Sequence, residues 1–249
     1  MTKTKGIILS IMAASALPTA AQAQSTSPIS VSASVDYVSE YVFRGVSFAN
    51  TAVQPGISAS YGNFTLGAWA STGLGESSAI AGDEIDIYGS YSWNISDLVS
   101  ASVGATLYHF PQSGGLFNLD SQELGSTIEG SFGLSLNTAL SPNVTAYYDA
   151  TLDAFTLIGN VSQSYPVADK TSIGLNLTGG FVVAGNGATD YQWGTGSAKL
   201  NYAVTGSSTL YVGANYTLNS ENFLDFPTAN DIAPNDNLFW AGTGFSTTF

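Results

Sequence analysis

The sequence predicts an all-β fold, a single antiparallel transmembrane β-barrel of about 12 strands with both termini in the periplasm. Three observations predict it. The chain begins with a segment typical of export signals, hydrophobic and polar residues alternate over most of the remainder, and the connections between candidate strands are short and long in turn. Alternation with a period of two is the pattern of a strand whose two faces meet different surroundings.

Residues 1–23 have the layout of a secretory signal peptide. Two lysines give a positive start, residues 7–17 are apolar but too short to cross a bilayer, and Ala21-Gln22-Ala23 matches the pattern that signal peptidase accepts. We therefore expect export through the Sec pathway and cleavage after Ala23, and we assign residues 24–249 to the barrel. A retained N-terminal anchor is the less favoured alternative.

Composition excludes several classes of protein. Residues 24–249 contain three basic residues against 18 acidic ones, a formal charge of −15. This excludes a nucleic-acid partner, whose phosphates would need Lys and Arg. Hydrophobic residues make up 44% and aromatic residues 12% of the chain, enough for it to fold despite its acidity. The chain has no cysteine for disulfides, and no apolar run after the signal is long enough for a transmembrane helix.

The alternation defines twelve candidate strands. The first covers about residues 30–45, with Val31, Ala33, Val35, Tyr37, Tyr41 and Phe43 on one face and Ser32, Ser34, Asp36, Glu40 and Arg44 on the other. The others lie at about 57–61, 64–71, 84–93, 99–108, 127–136, 144–153, 155–165, 171–183, 190–204, 210–218 and 238–249. Most approach the length of about nine to eleven residues that a tilted strand needs to cross a bilayer. We expect the apolar face to contact lipid.

The connections support the same fold. Turn residues fill 62–63, 94–97, 137–143, 166–170 and 205–208, whereas longer polar stretches fill 46–52, 72–83, 111–125, 184–190 and 219–237. Only the link near Asp153-Ala154 breaks this rhythm. Outer-membrane barrels have short periplasmic turns and longer extracellular loops, and an even strand number places both termini on the turn side. A soluble β-sandwich is the alternative, but it has no need of this rhythm.

Aromatic residues mark the expected membrane borders. On the periplasmic side these are Tyr61, Phe64, Tyr91, Trp93, Tyr165 and Phe249, and on the extracellular side Tyr41 and Phe43. Phe249 is also the last residue of an alternating strand, which resembles the signal that the barrel-assembly machinery recognises. We therefore expect Phe249 to act as an assembly signal.

The segment Tyr41-Val42-Phe43-Arg44-Gly45-Val46-Ser47 resembles the signature of the TorF-type porins, an outer-membrane family of proteobacteria. The similarity continues through Gln54-Pro55-Gly56, residues 67–71 and residues 84–89, and it is good over about 35–95. This resemblance implies a bacterial outer-membrane location and porin activity. It names no solute.

The face opposite the lipid carries most of the charge, because a basic residue on the lipid face costs about 2–4 kcal/mol at mid-bilayer. The predicted pore-lining residues are Asp36, Glu40, Arg44, Glu84, Asp86, Glu129, Asp149, Asp153 and Lys199. We expect Arg44 to meet an acidic residue of another strand. Carboxylates around a pore raise the local cation concentration, so we predict passive diffusion of small neutral or cationic solutes through an acidic lumen.

Two other functions remain open. In a closed structural or adhesive barrel, the same charges would form a salt-bridge network that fills a narrow interior, and twelve strands give an interior of intermediate width. An outer-membrane hydrolase is the weakest hypothesis. It would rest on His109, which is expected to face outward near the extracellular end of the fifth strand, a position that resembles outer-membrane phospholipase. However, Pro111 stands where that enzyme has its serine.

We therefore expect no enzymatic activity. We also expect no cofactor, and no metal site, because the acidic loop residues lack the regular spacing of a calcium loop. The expected partners are outer-membrane lipids, the barrel-assembly machinery during biogenesis, and small solutes.

Overall fold

The structure is a computed structural model, and it describes residues 29–75, 83–120, 125–185, 187–221 and 236–249. The expected signal peptide lies outside the described residues. The strands are β1 (Ile29–Val38), β2 (Tyr41–Phe43), β3 (Val46–Ala49), β4 (Ala52–Tyr61), β5 (Phe64–Gly73), β6 (Asp83–Asn94), β7 (Val99–His109), β8 (Ser126–Leu136), β9 (Asn143–Asp149), β10 (Ala154–Ala168), β11 (Thr171–Val183), β12 (Tyr191–Ala203), β13 (Ser208–Asn219) and β14 (Asn237–Thr248). The described residues include no helix long and apolar enough to cross a membrane.

Twelve of these strands form one closed antiparallel barrel, which confirms the predicted fold class and strand number. The barrel consists of β1 and β4–β14, each paired with its neighbours in sequence, and β14 closes the ring on β1. Strand β1 pairs directly with β4, from Ile29 opposite Tyr61 to Val38 opposite Ala52. The two remaining strands, β2 and β3, form a separate hairpin.

The alternation of the sequence places apolar residues on the outside of the barrel. On β11, for example, Leu175 and Leu177 are 46% and 60% exposed. On the adjacent β10, the inward-facing Thr156 is fully buried. A barrel of this kind pairs its backbone groups between strands and leaves no open edge, which is what a strand-built membrane protein requires.

The two ends of the barrel differ. The turn end carries the connections 62–63, 95–98, 137–142, 169–170 and 204–207 together with Ile29 and Phe249, whose backbone N–H donates to the Val31 carbonyl at 2.8 Å. The loop end carries the connections that follow β1, β5, β7, β9, β11 and β13, of which the structure describes 39–51, 74–75, 110–120, 125, 150–153, 184–185, 187–190, 220–221 and 236. The short and long rhythm of the sequence is therefore present. Its one expected exception, the link at 150–153, is present too.

The first candidate strand differs from its prediction. It was expected to run over about 30–45, but β1 ends at Val38, and residues 39–51 turn into the barrel, where we call them the lumen hairpin. Tyr41 and Phe43 are only 5% and 2% exposed, so their expected place in an outer aromatic belt is wrong. The physical reason is that alternation separates apolar from polar surroundings but cannot distinguish lipid from a packed protein interior.

The turn of the lumen hairpin explains how the chain reverses in so little space. Phe43 pairs with Val46, so Arg44 and Gly45 form a two-residue turn. Both have positive φ, 46° and 76°, as a type I′ turn requires, and this turn matches the twist of the two strands. A Cβ on Gly45 would lie 2.4 Å from the Cβ of Trp193. Only glycine therefore fits at this position.

The buried core lies inside the barrel at the loop end, around the lumen hairpin. It contains Val38, Tyr41, Phe43, Val46, Phe48, Ala49, Ala52, Tyr108, Phe110, Val182, Tyr191 and Trp193. Phe48 is completely buried, and its ring lies 5.3 Å from that of Tyr41. Inward-facing residues of the barrel wall thus pack against a hairpin that the same chain supplies.

Candidate functional site

The barrel interior is the candidate site, and the lumen hairpin lies across its loop end. From Tyr41 to Ala49, each residue of the hairpin except Val42 is buried. The hairpin forms its own two-stranded sheet and is not paired with the ladder of the barrel. Its position is therefore set by side-chain packing and by a few polar contacts.

Arg44, at the tip of the hairpin, is held by the far wall. Its two terminal nitrogens each donate to a different oxygen of Glu129 on β8, both at 3.1 Å. One of them also donates to the Thr156 hydroxyl on β10 at 3.1 Å. The guanidinium carbon lies 4.4 Å from the ring centre of Tyr147 on β9 and 4.8 Å from that of Phe43. This two-point geometry is the arrangement in which arginine binds a carboxylate most strongly.

Two further contacts fasten the hairpin to two other strands. The Tyr41 hydroxyl donates to Glu84 Oε2 on β6 at 2.8 Å. The Asn219 amide on β13 donates to the Gly45 carbonyl at 2.8 Å. Strands on opposite sides of the barrel therefore hold the hairpin across the interior.

Four acidic residues surround the hairpin in the wall. Glu84 and Asp149 are fully buried, and Asp86 and Glu129 are 2% exposed. Asp149 Oδ1 accepts the backbone N–H groups of Thr151 and Leu152 at 2.8 and 2.7 Å, so this carboxylate orders the turn at 150–153.

Glu84 and Asp86 share one face of β6. Glu84 Oε1 and Asp86 Oδ1 are buried without an amide, amine or hydroxyl donor among the described residues. The two carboxyl groups instead bond to each other. Buried carboxylate oxygens without donors are unusual and costly. The loop end of the interior thus holds more carboxyl groups than Arg44 contacts.

A second polar cluster of the interior lies between β1, β12 and β13 and is nearly neutral. The Tyr211 hydroxyl donates to Asp36 Oδ1 at 2.7 Å, and Lys199 Nζ lies 4.3 Å above the Tyr211 ring. Gly244 leaves room for this contact between β1 and β13, since a Cβ there would lie 1.9 Å from Asp36 Oδ1. Elsewhere in the interior, hydroxyl and amide groups bond across strands. The Asn160 amide, for example, donates to Asn176 and Thr178 at 2.5 and 2.7 Å.

Most of the predicted pore-lining residues lie on the interior side. Asp36, Glu84, Asp86, Glu129, Asp149 and Lys199 project inward from barrel strands, Arg44 is at the tip of the hairpin, and Glu40 accepts a hydrogen bond from Ser47 within the hairpin. The expectation that Arg44 meets an acidic residue of another strand agrees with its contact to Glu129. The roles of these residues in conduction stay predictions.

The inward placement of Asp153 is wrong. β9 ends at Asp149, and Asp153 lies in the exposed turn at 150–153 with a positive φ of 54°. Its Oδ1 accepts a hydrogen bond at 2.7 Å from Tyr148, which is 49% exposed on the outside of the barrel. The alternation of a strand no longer applies once the chain turns, so parity counted from β9 fails here.

Sequence reasoning missed several residues that hold the hairpin, namely Tyr41, Gly45, Thr156, Trp193 and Asn219. One local signal was available for the hairpin itself. The Arg44-Gly45 pair separates two short runs, Tyr41–Phe43 and Val46–Ala49, and glycine between such runs marks a tight turn. The wall residues that receive the hairpin carry no local signal.

His109 takes part in ordering a loop. Its Nδ1 lies 2.9 Å from the Gly125 carbonyl and 3.1 Å from Ser126 Oγ. A carbonyl can only accept, so Nδ1 carries the proton in that contact and cannot take one from Ser126. Ser126 is fully buried and donates to the Leu116 carbonyl at 2.7 Å. This arrangement does not provide an activated nucleophile.

Several solved structures share the fold. The "KdgM porin" is 14% identical, with a TM-score of 0.52, over 88% of this chain and 99% of that chain. The NanC porin is 12% identical, with a TM-score of 0.55, over 88% and 98%. An outer membrane channel from Pseudomonas putida F1 is 12% identical, with a TM-score of 0.50, over 88% and 95%. At these identities the likeness shows the barrel fold.

No curated protein matches the sequence. A family pattern matches residues 22–217, which include the lumen hairpin and β1–β12 and most of β13. The chain therefore belongs to the family described as "Bacterial protein of unknown function (Gcw_chp)".

Proposed function

We propose that this protein is a porin of the bacterial outer membrane, a passive channel for small neutral or cationic solutes. In the conformation described here, the lumen hairpin is packed inside the barrel near its loop end. The observation that carries the proposal is a closed twelve-stranded barrel with an apolar exterior and a hydrophilic interior. The resemblance to the TorF-type porins and the fold shared with KdgM and NanC support the same function.

The exterior supports a membrane location. Exposed large hydrophobic residues occur on every strand of the barrel, and aromatic side chains lie near the turn end, as Phe64, Tyr91 and Phe249 do. Exposure of this apolar surface to water would be unfavourable, whereas lipid would cover it. If the chain is exported and inserted like other outer-membrane barrels, its turn end would face the periplasm and its loop end the outside of the cell.

The interior charges support a preference for cations over anions. Arg44 is paired with Glu129, and Lys199 lies against Tyr211 beside Asp36. Neither cation is therefore well placed to attract an anionic solute. Glu84 and Asp86 would add uncompensated negative charge to any path that passed them, which favours cations.

A closed structural barrel is the second candidate, and the packing of the hairpin favours it. Phe43 and Phe48 are 2% and 0% exposed, as in the core of a soluble domain. In this candidate the hairpin never leaves the interior, and solutes do not cross. The placement of His109 and Ser126 favours no enzymatic alternative.

Planar-bilayer recording of the full-length protein separates the two candidates, because only the channel should show stepwise conductance. A variant without the hairpin tests whether the remaining interior can conduct at all. Because Val38 and Ala52 are already paired, Asn-Gly in place of residues 39–51 would join β1 to β4 by a two-residue turn. We expect this variant to form stepwise pores in planar bilayers. A correctly folded variant that stays silent would leave only the closed barrel.

Selectivity is tested in the same hairpin-less background. Asp36→Asn and Glu84→Gln should each lower the ratio of cation to anion permeability, measured from the reversal potential in a salt gradient. Asp153→Asn is the matched control, because it removes the same charge from an exposed turn. An unchanged ratio in both test variants would refute an acidic conducting path.

A further inference from the structure

We propose that the lumen hairpin is a gate that moves out of the interior, and that Arg44 is the residue that latches it. This inference rests on the proposed channel function. It concerns how that channel is closed, and its test is designed to fail separately from the test of conduction.

The barrel does not need the hairpin to close. β1 pairs with β4 along its whole length, and the hairpin forms its own sheet outside that ladder. At its base, Ser39 bonds to Ala241 and Thr51 to Leu74 through the backbone. If these two contacts stay in place, moving the rest of the hairpin breaks none of the strand pairs of the wall. The chain leaves the wall at Val38 and re-enters it at Ala52, which are opposite each other, so the hairpin can swing about one short base.

The closed position depends on polar contacts made at a distance from that base. The tip is fixed where Arg44 meets Glu129 and Thr156, and where Asn219 meets the Gly45 carbonyl. Nearer the base, Tyr41 donates to Glu84. Contacts farthest from the base of the hairpin oppose its rotation most, which assigns the latch to Arg44.

The closed position also leaves polar groups unsatisfied. One oxygen each of Glu84 and Asp86 is buried without an amide, amine or hydroxyl donor among the described residues, and the two carboxyl groups are left to bond to each other. A plug selected only for stability would pair such groups or replace them by apolar ones. When the hairpin leaves, water reaches both carboxylates. Hydration of the wall therefore offsets part of the apolar contact that the hairpin loses, and both positions become accessible.

A single cysteine can report the position of the hairpin, because the chain has none of its own. Ser47 is 6% exposed in the hairpin, and Ser47→Cys changes its shape little. In the full-length protein, refolded into liposomes, the rate of labelling by a membrane-impermeant maleimide measures how often the hairpin leaves. Heat-modifiable migration on gels verifies that each variant is folded.

The test variant is Arg44→Ala in the Ser47→Cys background. It removes the pair with Glu129 and leaves that buried carboxylate without a cation, with the Tyr108 hydroxyl still donating to it at 3.0 Å. This shifts the equilibrium toward the open position by on the order of a hundredfold. Labelling should accelerate strongly, and channel events in planar bilayers should become more frequent. Lys170→Ala is the control, because it removes the same charge from an exposed turn at the other end of the barrel.

A milder variant covers the case in which Arg44→Ala does not fold. Thr156→Val keeps the shape of the side chain and removes one hydrogen bond to Arg44, so a smaller acceleration of the same sign is expected.

The outcomes separate the two proposals. If labelling stays at the rate of the parent while the hairpin-less barrel conducts, the gate is refuted and the channel stands. If labelling accelerates but neither the latch variants nor the hairpin-less barrel conducts, the channel is refuted and the gate with it. Faster labelling together with more frequent channel events supports both.

Discussion

Replacing Gly45 by alanine tests whether the tip of the hairpin is seated as described. Gly45 has a φ of 76°, and an added Cβ would lie 2.4 Å from the Cβ of Trp193 and 2.9 Å from the Asn219 amide nitrogen. The Cβ of Trp193 is fixed to the backbone of β12. Relief of the clash therefore requires the hairpin or the wall to move.

Gly45→Ala is expected to lower the free energy of unfolding for two reasons. A residue with a side chain in the left-handed region costs about 1–2 kcal/mol, and overpacking of a filled interior costs about 1–3 kcal/mol. Gly62→Ala separates the backbone strain from the overpacking. Gly62 has a φ of 57° in the β4–β5 turn, and an added Cβ there would meet nothing within 4 Å. Gly45→Ala should thus cost about 2–5 kcal/mol. Gly62→Ala should cost only the first part.

The assay is urea unfolding of each variant in phospholipid vesicles, followed by tryptophan fluorescence. If the clash displaces the hairpin and does not destabilise the barrel, the free energy of unfolding stays unchanged. The Ser47→Cys variant is then labelled faster. The reasoning is refuted if Gly45→Ala costs no more than Gly62→Ala and leaves the labelling rate unchanged.

Two further predictions use the same unfolding assay. Leu177→Arg, at a position 60% exposed on the outside of β11, should cost about 2–4 kcal/mol in a bilayer, whereas Ser197→Arg on the interior face of β12 should cost less, and equal costs would contradict the assignment of the two faces. Tyr41→Phe removes the hydroxyl that donates to Glu84 and should cost about 1–3 kcal/mol. Tyr37→Phe, at a position 49% exposed on the outside of β1, should cost less, and a reversed order would contradict the burial of Tyr41.

The sequence alone determined the barrel. Strands β4–β14 occur where polar and apolar residues alternate, and the connection at 62–63 lies where turn residues interrupt that pattern. The turn at 150–153 is the exception, because the alternation continued through it and the predicted strand ran to Asp153. These features are local, because successive side chains of a strand point to opposite faces whatever the rest of the chain does. Closure of twelve such strands follows from the need to leave no edge unpaired.

Only the tertiary structure decided how the interior is filled. Residues 39–45 continue the alternation of β1, and 46–52 were expected to form a connection. The chain over 39–51 instead folds inward and meets wall residues that are distant in sequence, such as Glu129 and Trp193. Lipid and a packed protein interior both favour apolar side chains, so the pattern could not separate them. The partner of Arg44 is set by which strands lie opposite each other in the closed ring, and no local property of the sequence contains that information.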